Sequence, residues 1–154
     1  MDRIDRAIID QLRHTAQLTN TELADRVGLT PSPCLRRVRR LKEDGVILGY
    51  HARIAPEALG RAFEVHVDFE LANQAQETIG RFEAALIALD EVIEARRMFG
   101  SPDYLALVGV ADLSAYERFM TQQLSALPGL GKLQSRFAMK TIKSDVLRSE
   151  PHRL

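Results

Sequence analysis

Apolar residues in the first part of the chain recur every third or fourth position, which is the spacing of an amphipathic helix. The first stripe consists of Ile4, Ile8 and Leu12. It predicts a helix that ends near Thr15. A second helix is predicted from Thr19, because Thr19 and Glu22 have the spacing of a capping box, and it should end before Gly28.

A third helix is predicted after a tight turn. Thr30 suits its N-cap, Pro31 its first helical position and Gly45 its C-terminal stop. At about 100° per residue, four apolar residues share one sector and predict the buried face. They are Cys34, Leu35, Val38 and Leu41. Residues 46–53, with Gly49 among them, are predicted to form a short hairpin or wing.

The pattern changes to alternation in the second part of the chain. From Phe63 to Glu70 apolar and polar residues alternate strictly, which predicts a strand with one buried and one solvent-exposed face. Further elements are predicted as a helix at 79–89, strands at 92–99 and 104–110, a helix at 113–127 and a strand at 133–142. The inner run Tyr104–Val108 is apolar throughout, so we expect a central strand whose second face is covered by helices or by another subunit.

The order strand, helix, strand, strand, helix, strand is that of a ferredoxin-like domain. The fold prediction is therefore α+β: a winged helix-turn-helix of three helices plus a short wing, followed by a ferredoxin-like βαββαβ domain. The predicted boundaries are residues 1–53 for the first domain, 54–61 for a linker and 62–154 for the second domain.

Composition excludes several classes of protein. The chain has 154 residues, and 45% of them are hydrophobic, which is enough for one ordinary domain or two small ones. Its longest apolar run is far too short to cross a bilayer, and the N-terminus opens with charges, so we expect no membrane association and a cytoplasmic location. One cysteine and four scattered histidines have no metal-ligand spacing, so no metal is expected.

An enzyme is also not expected. The sequence offers no Ser/His/Asp or Cys/His set, and Gly131 with Lys132 is not a phosphate-binding loop, because Leu133 stands where Ser or Thr is needed. No catalytic residue and no cofactor are therefore predicted. Cys34 leaves two interpretations, a small buried core residue or a redox-sensitive thiol near a helix N-terminus, and its position on the core side favours the first.

Charge is distributed unevenly although the formal net charge is zero. Residues 1–53 carry ten Lys/Arg and seven Asp/Glu, a net charge of +3, and the remainder carries −3. On the third helix Arg36 and Arg40 fall opposite the buried face, and Arg37 and Arg39 lie on its flanks. An arginine-rich helix by itself is more often a solvated face, but the order of capped helix, tight turn and second capped helix favours DNA binding.

The second helix of a helix-turn-helix places its N-terminal part against base edges in the major groove. Ser32, Pro33 and Arg36 are therefore predicted nearest the bases, and Arg37, Arg39 and Arg40 mainly on phosphates. Thr30, at the helix start, completes the predicted DNA-contacting set. The expected partner is double-stranded DNA.

These residues resemble the Lrp/AsnC, or feast/famine, family of transcriptional regulators. The opening DRIDRAIIDQLR and the stretch LTNTELADRVGLTPSPCLRRVRRLKEDGVILGY are similar to the DNA-binding domain of that family. The stretches GSPDYLALVGVADLSAYERFM and LPGLGKLQSRFAMKTIK are similar to its effector and oligomerisation domain. The resemblance spans essentially the whole chain.

The resemblance implies a dimer formed through the sheets of the C-terminal domains, with further assembly to tetramers, octamers or larger forms. It also implies a small-molecule effector, an amino acid or a related metabolite, bound between dimers, and hence control of amino-acid metabolism genes. The implied effector site is the loop Gly100, Ser101, Pro102, Asp103 and Tyr104, faced by Ser135, Arg136, Phe137 and Ala138 of a neighbouring subunit.

Simple chemistry agrees with that site, because backbone amides near Gly100 can bind a carboxylate and Asp103 can bind an ammonium group. The alternative is an ordinary hairpin turn of Gly100, Ser101 and Pro102 in which Asp103 bonds to the backbone of the turn. Arg136 is a large cation where many relatives have a smaller side chain, which points to an acidic ligand or an altered pocket. A regulator without an effector and an architectural, nucleoid-type DNA-binding protein stay open as alternatives.

Overall fold

The structure is a computed structural model, and it describes residues 1–142. The described residues form two compact units, one at Met1–Arg53 and the other beginning at Ile54. No helix within these residues has the length and apolar character needed to span a membrane.

The first unit contains three helices, α1 (Arg3–His14), α2 (Asn20–Arg26) and α3 (Pro31–Glu43). Capping boxes start two of them: Asp2 pairs with Asp5 at α1, and Thr19 pairs with Glu22 at α2 as predicted. Thr30 is the N-cap residue of α3 by backbone conformation, although its side chain makes no capping hydrogen bond. The helices enclose a small core of Ile8, Leu23, Ala24, Cys34, Val38 and Leu41.

Two details of the first unit differ from the sequence prediction. Leu35, assigned to the buried face, is 38% exposed, because three apolar positions of α3 already fill the contact with α1 and α2. The predicted hairpin at 46–53 is wrong, since these residues contain no β-strand. The backbone amides of Val46 and Ile47 both donate to the Leu41 carbonyl and so cap the C-terminus of α3. Gly49 lacks the positive φ of a tight hairpin turn.

The second unit is an antiparallel sheet with two helices. After a 3-10 turn at Pro56–Leu59, its elements are β1 (Phe63–Leu71), α4 (Gln76–Ile87), β2 (Val92–Arg97), β3 (Tyr104–Val110), α5 (Leu113–Gln122) and β4 (Leu130–Phe137). The strand order is β2-β3-β1-β4, so β3 is a central strand as predicted. This is the predicted ferredoxin-like arrangement.

The alternation along β1 determines which face of the sheet is covered. Val65, Val67 and Phe69 are fully buried and pair in register with Val108, Ala106 and Tyr104. They pack under Phe82 of α4 and Phe119 of α5, so both helices lie on this one face. The opposite face, which carries His66, Leu105 and Leu107, is only partly buried by the described residues, and its cover by another subunit stays a prediction.

Several element bounds differ from the sequence prediction, and the largest differences are in α5 and β4. Helix α5 ends at Gln122, and Leu124–Ala126 forms a separate 3-10 turn, because the Leu124 to Leu127 spacing of three suits a 3-10 helix as well as an α-helix. Strand β4 begins at Leu130 and ends at Phe137, where its pairing with Val65 stops, so residues 138–142 of the predicted strand lie outside the strand that forms.

Candidate nucleic-acid interface and effector site

Helix α3 presents polar side chains to solvent along one side. Ser32, Arg36 and Arg39 are exposed, and Thr30 is exposed just before the helix. Pro33 is half-buried at the helix start. Within residues 1–142 neither Arg36 nor Arg39 has an ion-pair partner, so each guanidinium can reach an external anion.

The position of α3 is fixed by its neighbours. The side-chain amide of Asn20, at the start of α2, donates from Nδ2 to the Pro31 carbonyl at 2.8 Å, which links the beginnings of the two helices. At the other end of α3 the Lys42 ammonium lies 4.7 Å from the centre of the Tyr50 ring. This cation–π contact joins α3 to the residues that follow it. The arrangement is that of a helix held at both ends with its outer face open.

Two of the predicted phosphate contacts are engaged inside the protein. Arg37 Nη1 lies 2.5 Å from Asp2 Oδ2 and 2.9 Å from Asp5 Oδ1, and its side chain is only 24% exposed. Arg40 Nη2 lies 2.7 Å from Asp5 Oδ2, but 52% of its side chain is exposed. Both carboxylates accept from Arg37 Nη1. A guanidinium has five N–H donors, so the contact of Arg37 with phosphate stays a prediction that rests on its other nitrogens.

The sequence analysis did not identify Asp2 and Asp5 as ion-pair partners of the α3 arginines. Both carboxylates have a pKa below the ordinary range: hydrogen bonding to the Asp5 amide and to Arg37 lowers the pKa of Asp2 to about 2, and the pKa of Asp5 is lowered chiefly by hydrogen bonding to the Asp2 amide and then to Arg37. Their i, i+3 spacing before an apolar stripe is a capping-box signal that the sequence carries. That signal does not reveal their pairing with α3.

Cys34 lies in the core of the first unit with no exposed surface. Burial raises the pKa of its thiol. This agrees with the interpretation of Cys34 as a small core residue, because a reactive thiol needs access and a lowered pKa.

The loop between β2 and β3 holds the first group of predicted effector residues. Gly100 has a φ of +113°, which favours glycine, and Ser101 is exposed beside it. The backbone amides of Gly100 and Ser101 have no hydrogen-bond acceptor within residues 1–142. They are therefore available to an external acceptor.

Asp103, in the same loop, is already hydrogen-bonded. Its Oδ2 accepts from the Leu71 amide at 2.7 Å and its Oδ1 from the Gln74 side chain at 2.8 Å. The Asp103 carboxylate therefore bonds to the backbone of β1 and not, as the alternative interpretation had it, to the backbone of its own turn. A carboxylate has about four acceptor positions, so each oxygen retains capacity for a further donor.

Tyr104 is buried and points away from the loop surface. Its hydroxyl donates to Glu83 of α4 at 2.8 Å. Burial, followed by the hydrogen bond to Glu83, raises the pKa of Tyr104 to about 12. Tyr104 is thus a packing residue within this chain, and the accessible part of the loop is Gly100 to Asp103.

The second group of predicted effector residues lies on β4 and alternates between the two faces of the sheet. Ser135 Oγ lies 2.5 Å from the Tyr116 hydroxyl on the helix side. Arg136 lies on the face of the sheet opposite the two helices, which we call the open face, and pairs with Asp68 at 2.5 Å. Ser135 and Arg136 therefore cannot line one pocket from the same face, and the Arg136 charge is balanced within the chain.

Some of the predicted effector residues line two separate concave surfaces. One, of about 530 Å³, lies on the open face and is lined by His66, Glu94, Arg96, Leu105 to Leu107 and Arg136 to Ala138. The other, of about 130 Å³, is lined by Asp68, Glu70, Ser101, Pro102, Lys132 and Gln134. Within one chain the structure does not bring the Gly100 loop and Arg136 to Ala138 into one site.

Comparison with known proteins gives two family matches. The Lrp/AsnC ligand binding domain matches residues 64–147, and a winged helix-turn-helix DNA-binding family matches residues 1–47. The Bkd operon transcriptional regulator of Pseudomonas aeruginosa is 40% identical over 151 residues, covering 98% of this chain and 97% of that protein. The leucine-responsive regulatory protein of Escherichia coli is 38% identical over 143 residues, covering 93% and 87%.

Solved structures with the same architecture cover nearly the whole chain. A Neisseria meningitidis transcriptional regulator in complex with L-Met has a TM-score of 0.88 at 31% identity, covering 98% of this chain and 96% of that one. An AsnC family regulator from Agrobacterium tumefaciens has a TM-score of 0.85 at 35% identity, covering 94% of each chain.

Proposed function

This chain belongs to the Lrp/AsnC family of transcriptional regulators, and we propose that its α3 reads an operator while its second unit binds an amino acid or a related small molecule. Within this proposal Ser32, Pro33 and Arg36 lie nearest the bases, and Arg39 and Arg40 contact phosphates. The observation that carries it is the exposure of Arg36 and Arg39 on a helix held at both ends. A cytoplasmic location agrees with a chromosomal target.

The division of labour along α3 has a direct test. Arg36→Ala should weaken binding to a selected operator by about tenfold or more, because a bidentate contact to guanine discriminates by about 1 to 3 kcal/mol. Binding to poly(dI-dC) should weaken much less. Arg39→Ala is the matched control, since it should mainly reduce the dependence of the dissociation constant on salt. Equal losses on both DNAs in both variants would contradict the proposed division.

The effector half of the proposal rests on the Gly100 loop. Its unpaired amides suit a carboxylate, and the remaining acceptor capacity of Asp103 suits an ammonium group, which together describe an amino acid. The Neisseria meningitidis relative was crystallised with L-Met. Because Asp68 balances the Arg136 charge, Arg136 gives no reason to prefer an acidic amino acid over a neutral one.

A panel of the twenty L-amino acids tests this half. At least one should raise the melting temperature or change the particle size in light scattering, because a ligand that prefers one assembly state shifts the equilibrium toward it. Self-association to a dimer and larger forms is part of the proposal and would be read in the same scattering experiment. If no amino acid changes either quantity, the effector proposal fails.

The alternative is an architectural protein that covers DNA without effector control. Footprinting across the promoter of the protein's own gene separates the two functions. A regulator should protect a few phased sites, whereas an architectural protein should protect the fragment without a boundary.

A further inference from the structure

A buried carboxylate joins α1 to the helix that faces DNA. Asp5 is 1% exposed and is the one charged side chain classed as buried among residues 1–142. Its Oδ1 accepts from Arg37 at 2.9 Å and its Oδ2 from Arg40 at 2.7 Å. A buried charge is costly unless it is paired, so this arrangement strongly favours one orientation of both arginines.

Asp2 completes the charge balance. Its carboxylate accepts from Arg37 at 2.5 Å and from the Asp5 backbone amide at 2.9 Å, and the Asp2 backbone amide donates to the Asp5 carboxylate at 3.0 Å. Two carboxylates at the start of α1 thus face two guanidinium groups of α3. We call these four residues, Asp2, Asp5, Arg37 and Arg40, the clamp.

The clamp divides the arginines of α3 into two kinds. The positive charges of Arg36 and Arg39 are not balanced by a carboxylate in the described part of the chain, so they attract any phosphate. Arg40 is bonded to Asp5 through Nη2, but half of its side chain is exposed. A guanidinium has five N–H donors, so Arg40 keeps donors for DNA after bonding to Asp5.

We propose that Asp5 is a positioning residue for DNA recognition, which holds Arg40 and Arg37 in one orientation and balances their charge. A mobile arginine can neutralise phosphates at any position along DNA, whereas a fixed one binds only where the register is right. The clamp therefore lowers general attraction to DNA and raises discrimination between sequences. This inference rests on the proposed contact of α3 with DNA.

The experiment compares full-length wild-type protein with Asp5→Asn on two DNAs. One is a duplex selected from a randomised library with the wild-type protein, and the other is poly(dI-dC). Asparagine keeps the shape of the side chain but removes its charge. We expect tighter binding to poly(dI-dC), with a salt slope steeper by about 1 to 2 per helix-turn-helix, and a loss of about tenfold in the ratio of selected to nonselected binding.

Asp10→Asn is the matched control. Asp10 lies on the same helix α1, its side chain is 65% exposed, and its ion-pair partner is His14 at 3.6 Å. The substitution removes the same charge without touching α3, so the discrimination ratio should stay within about twofold of wild type. If Asp5→Asn lowers only the melting temperature and leaves the salt slope and the ratio unchanged, Asp5 has a merely structural role and the proposal is overturned.

Arg40→Lys gives a second route to the same answer, because Arg40 is half exposed and the variant should fold even where Asp5→Asn does not. Lysine keeps the charge but loses the fork that binds Asp5 and DNA together. We expect a loss of discrimination similar to that of Asp5→Asn, and a double variant no worse than either single one. Wild-type discrimination in Arg40→Lys, or additive losses in the double variant, would overturn the proposal.

Failure of the clamp and failure of the proposed base contacts give different results. If Arg36→Ala leaves discrimination unchanged, the base-contact assignment is contradicted. The salt slope and ratio of Asp5→Asn against Asp10→Asn still decide whether the clamp acts on DNA binding.

Discussion

The carboxylate of Asp103 accepts a hydrogen bond from the backbone amide of Leu71, with 2.7 Å between Oδ2 and N. Leu71 is the last residue of β1, where the pairing with β4 changes register. The loop that carries the proposed effector site is therefore joined to the end of the neighbouring strand.

Asp103→Asn should destabilise the second unit by about 1 to 2 kcal/mol, because a hydrogen bond to a charged group is lost. Asparagine has one acceptor oxygen, so it cannot serve both Leu71 and Gln74 as Asp103 does. The measurement is urea unfolding followed by circular dichroism. Asp90→Asn should change stability by less than about 0.5 kcal/mol, because Asp90 is exposed and its carboxylate has no hydrogen bond or ion pair within residues 1–142. Equal stability of the two variants would contradict this role.

Gly131→Ala should destabilise the sheet by about 1 to 3 kcal/mol. A Cβ at Gly131 would lie 2.9 Å from the Ala72 amide nitrogen and 3.0 Å from the Leu71 carbonyl carbon, and backbone atoms cannot move aside as a side chain can. Gly80 is the matched control, because it lies within α4 with open space around it. Gly80→Ala should stabilise by about 0.5 to 1 kcal/mol. Urea unfolding of both variants should thus give changes of opposite sign.

Acid should weaken the clamp. The folded-state pKa values of Asp2 and Asp5 are lowered, to about 2 for Asp2, so the unfolded chain binds more protons as the pH falls below about 4. The stability that these carboxylates supply is present above pH 4 and is lost toward pH 2. The difference in melting temperature between wild type and Asp5→Asn should therefore narrow over this range. A constant difference would show that the charge of Asp5 does not contribute.

Cys34 should react slowly with a thiol reagent in the native protein and rapidly in denaturant. It has no exposed surface, and burial raises the pKa of its thiol, so little thiolate is available at neutral pH. It is the only cysteine of the chain, so the absorbance of released thionitrobenzoate reports on it alone. Rapid labelling in the native state, or loss of DNA binding on mild oxidation, would support the redox-sensor alternative.

The sequence by itself determined the elements whose causes are local. Capping boxes and apolar spacing concern residues three or four apart, so the starts of α1 and α2, the alternation of β1 and the order of the second unit follow from neighbouring letters. The same letters carry the family signature. The hairpin at 46–53 was predicted incorrectly because a turn residue at Gly49 signals a bend without supplying a strand partner.

Only the tertiary structure decided which arginines of α3 pair with carboxylates of the same chain. Arg37 and Arg40 meet carboxylates that lie more than thirty positions earlier in the chain, and Asp103 meets an amide 32 positions away. Such pairings depend on how helices and strands pack, which no local pattern records. The sequence therefore identified a basic helix and a glycine loop, and packing determined which of their groups remain available for binding.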